Sequence, residues 1–91
     1  MKYFLNQYVI VRSNMSGVWF GFLSVVEKNG DFLLTDASRL WGWSDAQDVS
    51  EIAKNGVKTA TVTAKTEVLL NEWIEIQAVS EIAKEKINKL R

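Results

Sequence analysis

The sequence predicts an α+β fold: a small, mostly antiparallel β-sheet or barrel of about five strands, with one short helix and a C-terminal helix. Three observations carry this. Runs of β-branched and aromatic residues at strand length recur along the chain. Asn29-Gly30 joins two of them at hairpin spacing. Only the final segment carries an apolar stripe at helical spacing, with a short capped stretch near residue 50.

The elements follow in order. Gln7–Ser13 (QYVIVRS) reads as a strand, and Asn14–Gly17 as a loop. Val18–Lys28 is a longer strand with Gly21 inside it, where glycine marks a bulge, a bend or a close approach. Asn29-Gly30 predicts a type I′ turn into DFLLTD, because that turn needs positive φ at both central residues. Asp48 caps a short helix over Val49–Lys54, with Glu51 at the capping-box offset and Gly56 as a left-handed stop. Thr59–Lys65 (TATVTAK) predicts an edge strand. Glu67–Val79 predicts one continuous strand whose even positions Val68, Leu70, Ile74 and Ile76 share an apolar face. Ser80 caps a last helix to about Leu90, striped by Ile82, Ala83, Ile87 and Leu90. VSEIAK occurs at Val49–Lys54 and again at Val79–Lys84, but the flanks differ, so it reads as two helix starts and not as a duplication.

The length of 91 residues fits one domain over 1–91. With no Cys there is no disulfide framework or thiolate metal site, and with no His the commonest general base and metal ligand are missing. Eleven basic residues balance eleven acidic ones, so bulk attraction to nucleic acid or an anionic membrane is not expected. No apolar run reaches membrane-spanning length, and Met1–Asn6 is too short and polar for a secretory signal. The chain reads as cytoplasmic. Homo-oligomerisation is the remaining common route by which so small a domain buries more apolar surface.

Nothing here suggests catalysis. Asp31, Asp36, Asp45, Asp48 and Glu72 form no pair at a recognised catalytic or metal spacing, and Gly17 and Gly21 make no phosphate-binding fingerprint. The expectation is a non-enzyme without metal or cofactor. Binding is better supported. In Ser38–Ala46 (SRLWGWSDA), Arg39 offers a planar donor fork suited to phosphate or carboxylate. Trp41 and Trp43 share a face if the segment stays extended, with Gly42 open between them. Core packing, a subunit interface and a platform stacking on a nucleobase all remain open for these indoles. Glu72 interrupts the late apolar face, which predicts an inward carboxylate with Arg39 as its partner, or a bulge that returns it to solvent. The loop after the first strand carries Arg12, Ser13, Asn14, Ser16 and Gly17, and can act as a turn or hold a phosphate.

Three blocks, YVIVRSNMSGVWFGFL, DASRLWGWSDAQDVSEIAKNG and VLLNEWIEI, resemble a family of small, uncharacterised tailed-phage proteins with an ARRLWxWxGA-like motif. Arg39, Leu40, Trp41, Trp43, Ala46, Ser50, Ala53, Gly56 and Glu72 fall on its motif positions. The chain departs at Ser38, where the family tends to a second arginine, and at Ser44-Asp45, where it tends to a glycine before the alanine. The resemblance implies a phage origin, hence the cytoplasm of an infected bacterial host, and no particular activity. By analogy with small phage proteins that lack catalytic groups, the expected function is a homo-oligomeric sponge. It would sequester a nucleotide signal of antiphage immunity, cyclic or NAD-derived. Trp41, Trp43 or Trp19 would stack on the base, Arg39 and Arg12 would meet phosphate, and Ser13, Asn14 and Ser16 would hydrogen-bond. The alternatives are a module that binds and inhibits a host protein, or a minor phage structural component.

Overall fold

Alternating apolar residues produce a curled antiparallel sheet with helices on its outer side. The computed structural model describes residues 1–91. A single 3-10 turn, Lys2–Phe4, precedes β1 (Tyr8–Ser13), β2 (Gly17–Val26) and β3 (Phe32–Trp41). Helix α1 (Val49–Asn55) leads to β4 (Thr61–Val62), β5 (Thr66–Leu70), β6 (Glu75–Ala78) and helix α2 (Glu81–Leu90). The strand order is β4-β3-β2-β1-β6, and β5 also pairs with β3. No helix is long and apolar enough to cross a membrane.

The predicted late strand is two strands on opposite edges of the sheet. In a flat sheet β5 and β6 would lie four strand spacings, about 19 Å, apart. Leu70 ends β5, and the Ile74 N–H already donates to the Arg12 carbonyl at 2.7 Å. Four residues reach at most about 14 Å, so the sheet must curl until its edges approach. The curl buries Val9, Val11, Trp19, Leu23, Phe32, Leu34, Ala37 and Leu70 on the concave side. No helix covers that side; Met1 and Phe4 of the N-terminal turn pack against it. On the convex side, Ile10, Phe20 and Leu40 pack under Val49, Ile52 and Ala53 of α1 and Ile87 of α2. Each of the larger aliphatic and phenyl side chains contributes about 1.5–3 kcal/mol by leaving water.

Gly21 answers to its position. Register breaks at Phe20/Phe22, and a Cβ on Gly21 would stand 3.0 Å from the Ala37 Cβ. β2 and β3 therefore touch backbone to backbone here. Across that break Asp36 sits in the left-handed region at φ 50°, which aspartate tolerates better than most residues.

The Asn29-Gly30 hairpin forms with a different turn. Asn29 does not take positive φ; Gly30 does, at 97°. The Gly30 N–H donates to the Glu27 carbonyl, and the Glu27 N–H to that of Asp31 at 2.7 Å. This is a three-residue loop with a glycine bulge. The Asn29 side chain accepts from the Asp31 N–H and so stabilises that shape.

Both helix caps form. Asp48 accepts from the Glu51 N–H at 2.9 Å, and Ser80 from the Ala83 N–H at 3.1 Å. The repeated hexapeptide is used in two registers: Ser50 lies inside α1, whereas Ser80 is the cap of α2. On α2, Ala83 and Ile87 are buried, but Ile82 is exposed.

Candidate functional site

Strand register decides which candidate residues meet. Arg39 pairs with Trp19, Trp19 with Val11, and Val11 with Ile76, so these four form one row across β3, β2, β1 and β6. Val11 and Trp19 belong to the concave core, which places Arg39 on that side. The neighbouring row, Leu40, Val18, Arg12 and Glu75, faces the helices. Arg12 and Arg39 therefore point to opposite faces and cannot clamp one phosphate. The Arg12 Nε instead makes an ion pair with Glu75 at 3.0 Å.

Trp19 is core. It is buried, its indole N–H has no protein acceptor, and the Arg39 guanidinium lies 4.6 Å over its ring. Cation–π contact of this kind contributes about 0.5–1 kcal/mol at an exposed site. With its ring covered, Trp19 is not free to stack on a base.

Trp41 and Trp43 part company. β3 ends at Trp41, and Gly42 takes φ 69°, which breaks the period-two alternation. Trp41 remains 48% exposed on the concave side, two residues past Arg39. Trp43 turns to the convex side and packs against the helix-covered core. Asp45, beyond it, accepts from the backbone N–H groups of Lys58 and Thr59. The Lys58 N–H chiefly holds its carboxyl below the usual range, against a smaller upward push from burial.

Glu72 neither enters the core nor meets Arg39. It stands in the corner between β5 and β6 and takes the loop after β1 as its partner. The Ser13 hydroxyl and the N–H groups of Asn14 (3.0 Å) and Met15 (3.1 Å) donate to its carboxylate. The Ser13 hydroxyl leads in holding that carboxyl below the usual range, followed by Met15 and Asn14. The loop does gather anion-binding donors, as its composition suggested, but the protein supplies the anion. Ser16 is turned inward on the same loop, its N–H donating to the Ser13 Oγ. The Ser13 hydroxyl and the three loop amides of Asn14, Met15 and Ser16 are thus already engaged, and the loop does not present them as an open phosphate site.

Glu72 and the Ile74 N–H bring Trp73 and Ile74 beside Met15. Trp41 lies on the same end of the sheet, one residue past the Val18–Leu40 pair that begins β2. The result is a rim of exposed apolar side chains: Met15 at 82%, Trp41 at 48%, Trp73 and Ile74 at 47%. Arg39 is exposed beside it, with no carboxylate in ion-pair range. Met15, Trp73 and Ile74 escape a reading by periodicity because their meeting depends on the corner. The polar Asn71-Glu72 interruption was the available signal.

A second polar cluster joins the C-terminus to the bulge of β3. The Arg91 side chain is fully buried beneath α2, donating to the Asp36 carbonyl, the Asp36 carboxylate and the Ser38 hydroxyl. Its guanidinium lies over Phe20. The Tyr8 hydroxyl donates to Asp36 at 2.8 Å. Burial alone would raise the Asp36 carboxyl; Tyr8, then Arg91 and Lys65, outweigh it and hold the group below its usual range. Burial and then Asp36 push the Tyr8 hydroxyl up. No group of three or more metal-ligating side chains occurs.

No curated protein matches the chain. A family model does, over residues 6–87, from β1's approach to the second turn of α2. That span takes in the whole sheet, the rim and Glu72, and the chain therefore belongs to the family described as a domain of unknown function, DUF6948.

Proposed function

We propose that the protein is a non-enzymatic, homo-oligomeric interaction module that docks through the rim of Met15, Trp41, Trp73 and Ile74. The observation behind this reading is the gathering of four exposed apolar side chains and one unpaired guanidinium at one end of the sheet. Trp, Met and Arg are enriched at protein interfaces and lysine is depleted. The chain carries no net charge, so copies do not repel one another. Arg39 of one copy can face the exposed indoles of another, a self-complementary arrangement suited to two-fold assembly.

A second reading is the nucleotide sponge. Arg39 and Trp41 favour it: an unpaired planar cation two residues from an open indole, on one face. A base would stack on Trp41, and phosphate would rest on Arg39, with further donors coming from a second copy. The resemblance to tailed-phage proteins would make the signal, or a protein partner, one of the bacterial host.

Light scattering over a concentration series tests the first reading. The wild type should assemble, and Trp41→Ser with Trp73→Ser should leave a folded monomer. A wild type that stays monomeric throughout overturns it. Titration with cyclic di- and trinucleotides and NAD-derived signals, read by tryptophan fluorescence and melting temperature, tests the second. A true ligand raises the melting temperature by linkage, and Arg39→Gln abolishes the rise.

A further inference from the structure

The convex side carries a cleft that neither reading uses. It lies between the end of α1 and the last turns of α2, has a volume of about 240 Å³, and is lined by Val57, Lys58, Lys86, Lys89 and Leu90. The floor is apolar: Val57 is buried and Leu90 half-buried. Three lysines line it, and no carboxylate does. That is a concentrated positive charge in a chain of zero net charge. None of the three lysines is in an ion pair; the chain's ion pairs are Arg12–Glu75, Lys65–Asp36 and Arg91–Asp36. Asp45 stands beside Lys58: it accepts from the Lys58 and Thr59 backbone N–H groups, and the Lys58 charge adds a smaller pull that keeps its carboxyl ionised.

The cleft is built by backbone contact. A Cβ on Gly56 would stand 2.9 Å from the Lys86 Cβ and Cδ and 3.1 Å from the Ala83 Cα. Helix α2 therefore lies directly on the chain leaving α1, and the Lys86 stem is laid along Gly56. Lys86 and Lys89 also suit the negative end of α2, which accounts for their sign. It does not account for Lys58, which arrives from a separate loop.

We propose that this cleft binds a small, soluble phosphate-bearing ligand with an apolar or planar part. The ammonium groups meet the phosphate, and Val57 and Leu90 take the apolar part. Lysine serves here as a point charge that tolerates varied phosphate geometry. The cleft is smaller than the usual range for small-molecule sites, about 300–1,000 Å³, so it seats part of a compact ligand and leaves the rest in solvent.

Backbone amide shifts under titration with pyrophosphate, and separately with ADP, test this at matched ionic strength against sodium chloride. Saturable shifts are expected at Val57, Lys58, Lys86, Lys89 and Leu90. ADP should bind about tenfold more tightly than pyrophosphate, through the apolar floor. Lys58→Gln with Lys89→Gln should weaken both about tenfold or more, while Lys2→Gln with Lys28→Gln, equal in charge removed, should not. Shifts that never saturate, or that fall equally in both double variants, would overturn the proposal by reducing it to diffuse electrostatics. Pyrophosphate binding as tight as that of ADP would overturn the role given to the floor. Oligomeric state is not part of this readout, so its outcome is separate from that of the rim.

Discussion

Two polar clasps tie distant parts of this chain, and they differ in their surroundings. Glu72 holds the loop after β1, and Arg91 holds the bulged segment of β3 at Asp36. Each joins residues more than fifty positions apart. The Glu72 clasp is made of the Ser13 hydroxyl and two backbone N–H groups of an exposed loop. The Arg91 clasp places a fully buried guanidinium under α2 against a carboxylate, a hydroxyl and an aromatic ring. Near water, a lost donor or acceptor is replaced cheaply; under a helix it is not. The first clasp should therefore shape one loop, and the second should govern the docking of α2 on the whole sheet.

Removing Arg91 should have the largest effect. Arg91→Ala removes the buried cation from Asp36, leaving Tyr8 and Lys65, and uncovers Phe20. The expected loss is about 3 kcal/mol, the low end for breaking a buried pair, because Asp36 can rehydrate. Urea unfolding of the two proteins measures it. Gly21→Ala attacks the same clasp from the other side of the sheet. The new methyl meets Ala37 at 3.0 Å and pushes the bulge that carries Asp36, for an expected loss of about 2 kcal/mol. A Gly21→Ala protein of wild-type stability would show that the bulge yields freely.

pH separates the clasps by sign. Asp36 and Glu72 carboxyls lie below their usual range in the folded protein. The stabilisation each contributes is present above its unfolded pKa, near 4, and is lost as pH falls through the folded value. The Tyr8 hydroxyl is raised, so its contribution is present below the unfolded value, near 10, and is lost as pH rises through the folded one. The Arg91 cluster should thus loosen at both extremes and the Glu72 loop only in acid. Amide exchange at Asn14 and Met15, against exchange along α2, distinguishes them.

Glu72→Gln should speed exchange at Asn14 and Met15 while moving the thermal midpoint little. A large drop in midpoint would make the two clasps equivalent and remove the distinction. The smallest change should come from Trp41→Ser, within about 0.5 kcal/mol in the monomer, because the side chain is half in water already. Any larger loss at high protein concentration would report lost assembly at the rim.

Much of the fold was legible because its signals are local. The alternation in Tyr8–Ser13 and the caps at Asp48 and Ser80 act within a few residues. The break in the late strand was less legible. Val68, Leu70 and Ile76 keep one apolar parity on both sides of it, so a pattern of period two reads straight through the corner. The turn at Asn29 escaped for a similar reason: the dipeptide fits two hairpin loops, and the register of β2 against β3 selects the longer.

The candidate site divides in the same way. Residue order alone establishes that the chain has no His and no Cys, that Arg39 and Trp41 stand close together, and that the loop of Ser13 to Gly17 is rich in anion-binding donors. Long-range packing adds that Glu72 fills that loop, that Trp19 lies inward beneath Arg39, that Arg12 faces the other way, and that Met15, Trp73 and Ile74 share Trp41's end of the sheet. The reason is physical. Residue type and short spacing set what a side chain can donate, accept or cover. Which partner it finds is set by strand register and by the curl of the sheet, and these are fixed by burying the whole core at once.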